Sequence, residues 1–282
     1  MRTSGEPLAP PARTAHPGPS RAAATNPEPM TDTHTHLFSS EFDADRDEVV
    51  ARAVAAGVER FYLPNIDADT VDAMLELADA YPDRCSPMLG LHPTSVGEDY
   101  DAQLDALEAR LGERPWAAIG EIGTDLYWSD EFWPQQQIAF RRQCEWALAL
   151  DRPIVVHSRN SIDETLDLIE PFATRGLRGV LHCFTGTVAQ AERAVSQGLY
   201  LGIGGVVTYK KRGELAQVVR TVPRDRLVLE TDSPYLAPVP KRGRRNESAF
   251  VAFVRDEVAA LLGCGEGEVE RFTDANARQL FA

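Results

Sequence analysis

Eight short apolar runs, each followed by a stretch of helical period, succeed one another from residue 31 onward with no interruption. The runs are THTHL (33–37), RFYLPN (60–65), PMLGLH (87–92), WAAIGEIG (116–123), PIVVHS (153–158), GVLHCF (179–184), YLGIGG (200–205) and LVLETD (227–232). Runs this short and this apolar read as strands buried on both faces, the habit of parallel sheets. Between them lie helices such as 45–57, which ends at Gly57, and 133–151, opened by Pro134 in its first turn. Two further helices are expected around 247–262 and 266–280. Eight strand–helix units without a break predict an α/β fold, a single-domain (β/α)₈ TIM barrel. The alternative is an open doubly wound sheet, but no glycine-rich phosphate loop follows the first strand.

Residues 1–29 are different in kind. They carry seven prolines and no hydrophobic period, and read as a disordered Pro/Ala-rich extension. The barrel domain is assigned to 30–282. The extension lacks the continuous apolar stretch of a secretory signal; a transit peptide is the alternative. No apolar run approaches the roughly 20 residues of a membrane span, so a soluble protein without a membrane partner is expected. Four scattered cysteines with no CxxC read as reduced thiols of a cytoplasmic protein. No obligate protein partner is evident. The net charge of −14 argues against a sequence-independent nucleic-acid binder. It does not exclude an enzyme that grips a phosphodiester through metal ions.

The polar residues of the runs carry the chemistry. In TDTHTHLFSS (31–40), Asp32, His34 and His36 recur at i, i+2, one face of an extended chain. His92 follows the third run, and Glu121 ends the fourth. His157 ends the fifth, His182 the sixth and Asp232 the eighth. Five of the six histidines thus sit at C-terminal strand ends, and the sixth, His16, is in the extension. In a barrel those ends share one mouth. Four imidazoles and two carboxylates suit Zn²⁺, Mn²⁺, Fe²⁺ or Ni²⁺; Mg²⁺ ordinarily takes more oxygen. Six ligands exceed one tetrahedral site with an open position, and fit two divalent ions sharing a carboxylate. Such a pair polarises a phosphoryl or carbonyl oxygen and supplies hydroxide, so hydrolysis is the expected reaction.

The segments DTHTHL, GLHP, GEIGTD, PIVVHSR, HCFTG, YLGIGG and LETDSPYLAPVPKRGRRNE together resemble the TatD family of metal-dependent deoxyribonucleases, within the amidohydrolase-like barrels. The resemblance runs from about residue 31 to residue 282. It implies one metal on His34, His36, Glu121 and Asp232, and a second on Glu121, His157 and His182, with Glu121 bridging. It also implies divalent-metal-dependent hydrolysis of DNA phosphodiesters, often exonucleolytic on single strands. The chain departs from the family pattern at Thr124, where leucine is usual; at Leu126, which intervenes before Tyr127; and at Ser248, where proline is usual. These departures bear on substrate preference.

Roles follow for individual residues. Asp232 and Glu121 are the expected catalytic carboxylates, Asp232 as general base, with pure ligation as its plainer reading. His92, Arg159 and Arg242 are expected to touch substrate phosphate; the plainer readings are a satisfied loop histidine, a surface ion pair and a solvated basic loop. Asp32 is expected to be a structural carboxylate or one that orients a histidine, rather than a direct ligand, and Cys183 to pack in the core. Tyr127 and Trp128 are candidates for base stacking, and Asn246 and Glu247 for capping the next helix. Two other functions compete. One keeps the metals but cleaves an ester or amide, in aminoacyl-RNA or a small lactone. The other is a non-catalytic binding protein, which the intact ligand set disfavours.

Overall fold

The computed structural model describes residue 1 and residues 29–282; the expected extension therefore lies almost wholly outside the described residues. The strands are β1 (Met30–Asp32), β2 (Val58–Pro64), β3 (Cys85–Met88), β4 (Ile119–Asp125), β5 (Ile154–Arg159), β6 (Gly179–Leu181), β7 (Leu199–Ile203) and β8 (Leu227–Leu229). The helices are α1 (Arg46–Ala55), α2 (Val71–Ala80), α3 (Tyr100–Ala109), α4 (Trp133–Leu150), α5 (Ile162–Ala173), α6 (Val188–Ser196), α7 (Leu215–Thr221), α8 (Val251–Leu262) and α9 (Glu266–Leu280). All neighbouring strands pair in parallel, β1 to β3 in one ladder and β4 to β8 in another.

Backbone hydrogen bonds join the two ladders. Gly120 N–H donates to Leu89 O at 2.9 Å between β3 and β4. Thr33 N–H donates to Leu229 O at 3.1 Å, and Asp232 N–H to His34 O at 2.9 Å, between β8 and β1. The sheet closes, which excludes the open doubly wound arrangement.

Side-chain alternation decides what each strand presents inward. On β5, Ile154 and Val156 join the large cluster between strands and helices, while Val155 joins a second cluster inside the barrel. On β6, Leu181 faces out and Val180 in; on β8, Leu227 and Leu229 face out and Val228 in. His157, His182 and Glu230 fall two positions after Val155, Val180 and Val228, and so point inward one layer higher. A one-residue slip would put Val156 in the mouth and His157 among the helices.

The inner cluster (Tyr62, Met88, Ala118, Val155, Val180, Tyr200 and Val228) is sealed from below by Ala277, Leu280 and Phe281, with Phe281 stacked on Tyr62 at 3.9 Å. α9 is fixed there by Thr31 Oγ1 donating to Asp274 at 2.7 Å, and by Asn276 Nδ2 donating to Arg224 O and Leu227 O at 2.7 Å each.

The first strand is displaced from its expected place. β1 ends at Asp32, before the histidines. Beyond it the backbone bonds in turn to Leu229, Tyr62 and Ser233, so no single ladder continues, although the side-chain alternation does. Glu247 takes the N-cap position of the 3-10 turn Ser248–Phe250 that leads into α8, but its side chain makes no capping bond and accepts from Arg52 instead, and Asn246 does not cap. Asn246 instead donates to Thr231 O at 2.7 Å and Tyr235 O at 2.6 Å, clasping the loop after β8.

Candidate metal centre

The six residues expected as ligands converge at the C-terminal mouth. Glu121, at the centre, is buried, and its two oxygens face different imidazoles. Oε2 lies 3.1 Å from His34 Nε2 and 3.6 Å from His36 Nε2. Oε1 lies 2.9 Å from His157 Nδ1 and 3.0 Å from His182 Nε2. Asp232 Oδ1 completes the first group, 3.8 Å from His34 Nε2 and 3.7 Å from His36 Nε2. β8 ends at Leu229, and a left-handed backbone at Asp232, φ 57°, turns the chain three residues later, where this carboxylate meets the mouth.

These separations can be tested against a cation. A tetrahedral ion with bonds of about 2.1 Å holds its ligand atoms about 3.4 Å apart. The Nε2 atoms of His34 and His36 are 3.3 Å apart, and their distances to Glu121 and Asp232 bracket that value on both sides. Burial also prepares the donors. It pushes His34 well below the usual histidine range and His36 down to about 4, against the pull of Glu121, so both rings are neutral with a lone pair to give. Burial raises Glu121, but the surrounding imidazoles outweigh it and hold the carboxyl well below its usual value. Asp232 is pushed up to about 7, first by burial and further by Glu121 and Glu230, with His182 opposing. Packing this many polar groups together without solvent is unfavourable unless they share a partner. The donor set fits a divalent cation.

Three residues near the centre were placed differently, or not at all, by the sequence. His92 reaches the cage: its Nε2 lies 3.3 Å from Glu121 Oε1. Its Nδ1 accepts from the Thr94 backbone N–H at 3.1 Å, so the ring proton sits on Nε2 and points at that carboxylate. His157 Nε2 lies 2.9 Å from Asp125 Oδ2, and the other Asp125 oxygen accepts from Tyr127 N–H at 2.8 Å and Trp128 N–H at 3.2 Å. Burial pushes His157 down, yet its bonds to Asp125 and Glu121 carry it above the ordinary value.

Glu230, fully buried, lies 3.3 Å from His182 Nδ1 without hydrogen-bond alignment, and accepts from Cys183 N–H at 2.5 Å. The carboxylate occupies space over Gly202, where any Cβ would overlap it. Both acids were within reach of the sequence: Asp125 is four residues after Glu121, and Glu230 two before Asp232, with the same parity as the ligands.

Of the roles open to Asp32 the structural one holds: its carboxylate accepts from Thr231 N–H at 2.9 Å and Thr231 Oγ1 at 2.6 Å, tying β1 to the segment after β8. One reading is corrected. Cys183 does not pack in the core but lines the cavity, because its φ of 44° breaks the strand alternation.

The cavity over the cage has a volume of roughly 720 Å³. Its wall includes His92, Trp128, Arg159, Tyr235 and Leu236. Arg159 forms no ion pair with a carboxylate among the described residues; its guanidinium lies 3.6 Å from the Tyr127 ring centre and 5.3 Å from that of Trp128. Arg242 stands outside the wall, stacked on Tyr209 at 4.4 Å. Two of the departures lie away from the cavity. Thr124 bonds to Ser161 and Thr165 at 2.8 and 2.6 Å, and Ser248 to Thr35 at 3.3 Å. Only the loop carrying Leu126 borders it.

Comparison with known proteins agrees with this geometry. A family model described as TatD related DNase matches residues 31–282. A 3'-5' ssDNA/RNA exonuclease TatD of Cronobacter sakazakii is 38% identical over 258 residues, covering 89% of this chain and 97% of that protein. The uncharacterized metal-dependent hydrolase YabD of Bacillus subtilis is 33% identical over 252 residues, covering 89% and 98%. The crystal structure of YJJV, a TatD homologue from Escherichia coli, superimposes with a TM-score of 0.84 at 31% identity, covering 89% of this chain and 97% of that one.

Proposed function

Because the chain belongs to the TatD-related DNase family of metal-dependent hydrolases, we propose that it is a nuclease with a binuclear centre, trimming single-stranded nucleic acid from an end. One observation carries the binuclear reading: the two oxygens of Glu121 face separate sets of imidazoles, Oε2 toward His34 and His36, and Oε1 toward His157 and His182 with His92 beside them. His34, His36, Glu121 and Asp232 would hold one ion, and Glu121, His157 and His182 the other. Zn²⁺, Mn²⁺, Fe²⁺ and Ni²⁺ suit these donors better than Mg²⁺. Such a pair, when bound, supplies Lewis acidity toward a phosphoryl oxygen and hydroxide at neutral pH.

The side chains do the rest. Asp232, at the cavity edge of the cage, is placed to take the proton of the attacking water. His92, held as the Nε2–H tautomer by Thr94, turns its one ring proton from Glu121 to a phosphate oxygen when substrate enters. Arg159, braced on Tyr127 and paired with no carboxylate among the described residues, clamps the same phosphate through its planar fork. Trp128, largely exposed at the wall, offers a face to a nucleobase. Arg242 meets the strand outside the wall. Four unpaired thiols support a reducing, cytoplasmic setting, and no described helix is long and apolar enough to cross a membrane.

The test is metal-reconstituted enzyme on single-stranded DNA, duplex DNA, RNA and an aminoacyl ester, with metal content measured in parallel. Expected are more than one divalent ion per chain, release of mononucleotides from single strands, and loss of turnover in Glu121→Ala with the fold retained. Faster cleavage of the ester than of any nucleic acid would overturn the nuclease reading.

A further inference from the structure

Charge at the mouth is divided between its two sides. The four loops that follow β1 to β4 (33–45, 65–70, 89–99 and 126–132) hold nine carboxylates, from Glu41 to Glu131, and no lysine or arginine. The loops that follow β7 and β8 (204–214 and 230–247) carry their four acids, Glu214, Glu230, Asp232 and Glu247, at the loop ends, outside 204–213 and 233–246, and hold seven cations, all within those two segments. All three lysines of the chain, Lys210, Lys211 and Lys241, are among these.

The two basic loops form one surface. Val239 N–H donates to Thr208 Oγ1 at 2.8 Å, Tyr209 Oη donates to Ala237 O at 2.9 Å, and Arg242 covers Tyr209. Arg212 and Arg245 are taken up by Glu257 and Asp45. Lys210, Lys211, Lys241, Arg242 and Arg244 form no ion pair with a carboxylate among the described residues, whereas most arginines on the barrel's flanks do. The surface is continuous with the cavity, whose wall includes Val206, Tyr235 and Leu236 from the same loops.

Resting on the nuclease reading, we propose that this arc is the track along which the uncleaved part of a single-stranded polynucleotide leaves the cavity. Lys210, Lys211, Lys241 and Arg244 pair with successive backbone phosphates, and the carboxylates over β2 to β4 repel the strand from across the mouth. A net charge of −14 then coexists with polyanion binding because attraction is confined to one sector. Backbone contacts of this kind read no bases, so the track is indifferent to sequence.

The triple variant K210Q/K211Q/K241Q separates the track from the reaction. Turnover of bis(p-nitrophenyl) phosphate, too small to reach the arc, should match the wild type and shows that the variant folds. Binding of a fluorescein-labelled single-stranded 12-mer is followed by anisotropy in EDTA, which stops cleavage. Each lost phosphate contact lowers the slope of log affinity against log salt by about 0.7, so three lower it by about 2. Between 50 and 200 mM salt, the variant's affinity should fall about 16-fold less steeply than the wild type's. Unchanged affinity and slope in a variant that still hydrolyses the small diester would overturn the track. Failure of the wild type to hydrolyse the small diester would instead overturn the nuclease reading, while the anisotropy still decides the track.

Discussion

Replacing Asp125 by Asn changes one atom, and the structure dictates which way the new amide must face. One Asp125 oxygen accepts from the N–H groups of Tyr127 and Trp128, at 2.8 and 3.2 Å. The amide oxygen must stay there, because an NH₂ would oppose two donors. The NH₂ is then left facing His157 Nε2, 2.9 Å away. That nitrogen must become the acceptor, and the ring proton moves to Nδ1, the atom that faces Glu121. A protonated Nδ1 cannot ligate a cation.

Turning the amide restores the tautomer but strands two loop N–H groups, at on the order of 1–3 kcal/mol. By that route, metal affinity falls by a factor of roughly 5 to 150, in line with the 10–100-fold typical for outer partners of ligating histidines. Asp125→Ala lacks the conflict: a water at the open side of the ring can take the Nε2 proton. The loss there should stay within about tenfold, although two loop N–H groups lose their acceptor and stability drops by about 1–3 kcal/mol. The two variants therefore reverse order. Asn should be worse for metal affinity, by competition with a fluorescent chelator, and Ala worse for melting temperature in EDTA. Asparagine binding metal as tightly as the wild type, or more tightly than alanine does, would refute the tautomer argument.

Two smaller perturbations probe the supports of the cage. Gly202→Ala drives a methyl against the Glu230 carboxylate, 2.8 Å from its Cδ, and should cost about 1–3 kcal/mol in urea unfolding; the added change Glu230→Ala should recover part of that loss, and a further drop would count against the contact. Asn246→Ala removes the clasp on Thr231 O and Tyr235 O and should cost about 1–3 kcal/mol, with metal affinity falling too because Asp232 sits within the clasped loop.

The barrel and its six converging groups were legible because both obey a strict period. Strand residues two apart share a face, so Val155 and His157, or Val180 and His182, report the same direction without any coordinates. The strand limits were not legible in the same way. Around His34 and Glu121 the backbone changes hydrogen-bonding neighbours, which displaces β1 and β4 from the runs that announced them. Cys183 was misread because a left-handed φ breaks the alternation on which the reading depended. His92 could be assigned to the mouth but not to Glu121, since its aim is set by Thr94 in a loop of no fixed period. The segregation of charge was present in the composition of six loops, but it acquires meaning only when closure of the sheet sets those loops around one opening.

The plug of Phe281, Leu280 and Tyr62 makes the barrel blind-ended. For an enzyme that shortens a polymer, a sealed base forbids threading: whatever enters must back out through the doorway by which it came. On the proposed reading, the severed nucleotide would have to vacate the chamber before the remaining chain could advance, and each cut would be followed by a wait. Such an architecture favours release between cuts over long unbroken runs, and makes the departing monomer a natural competitor for the site.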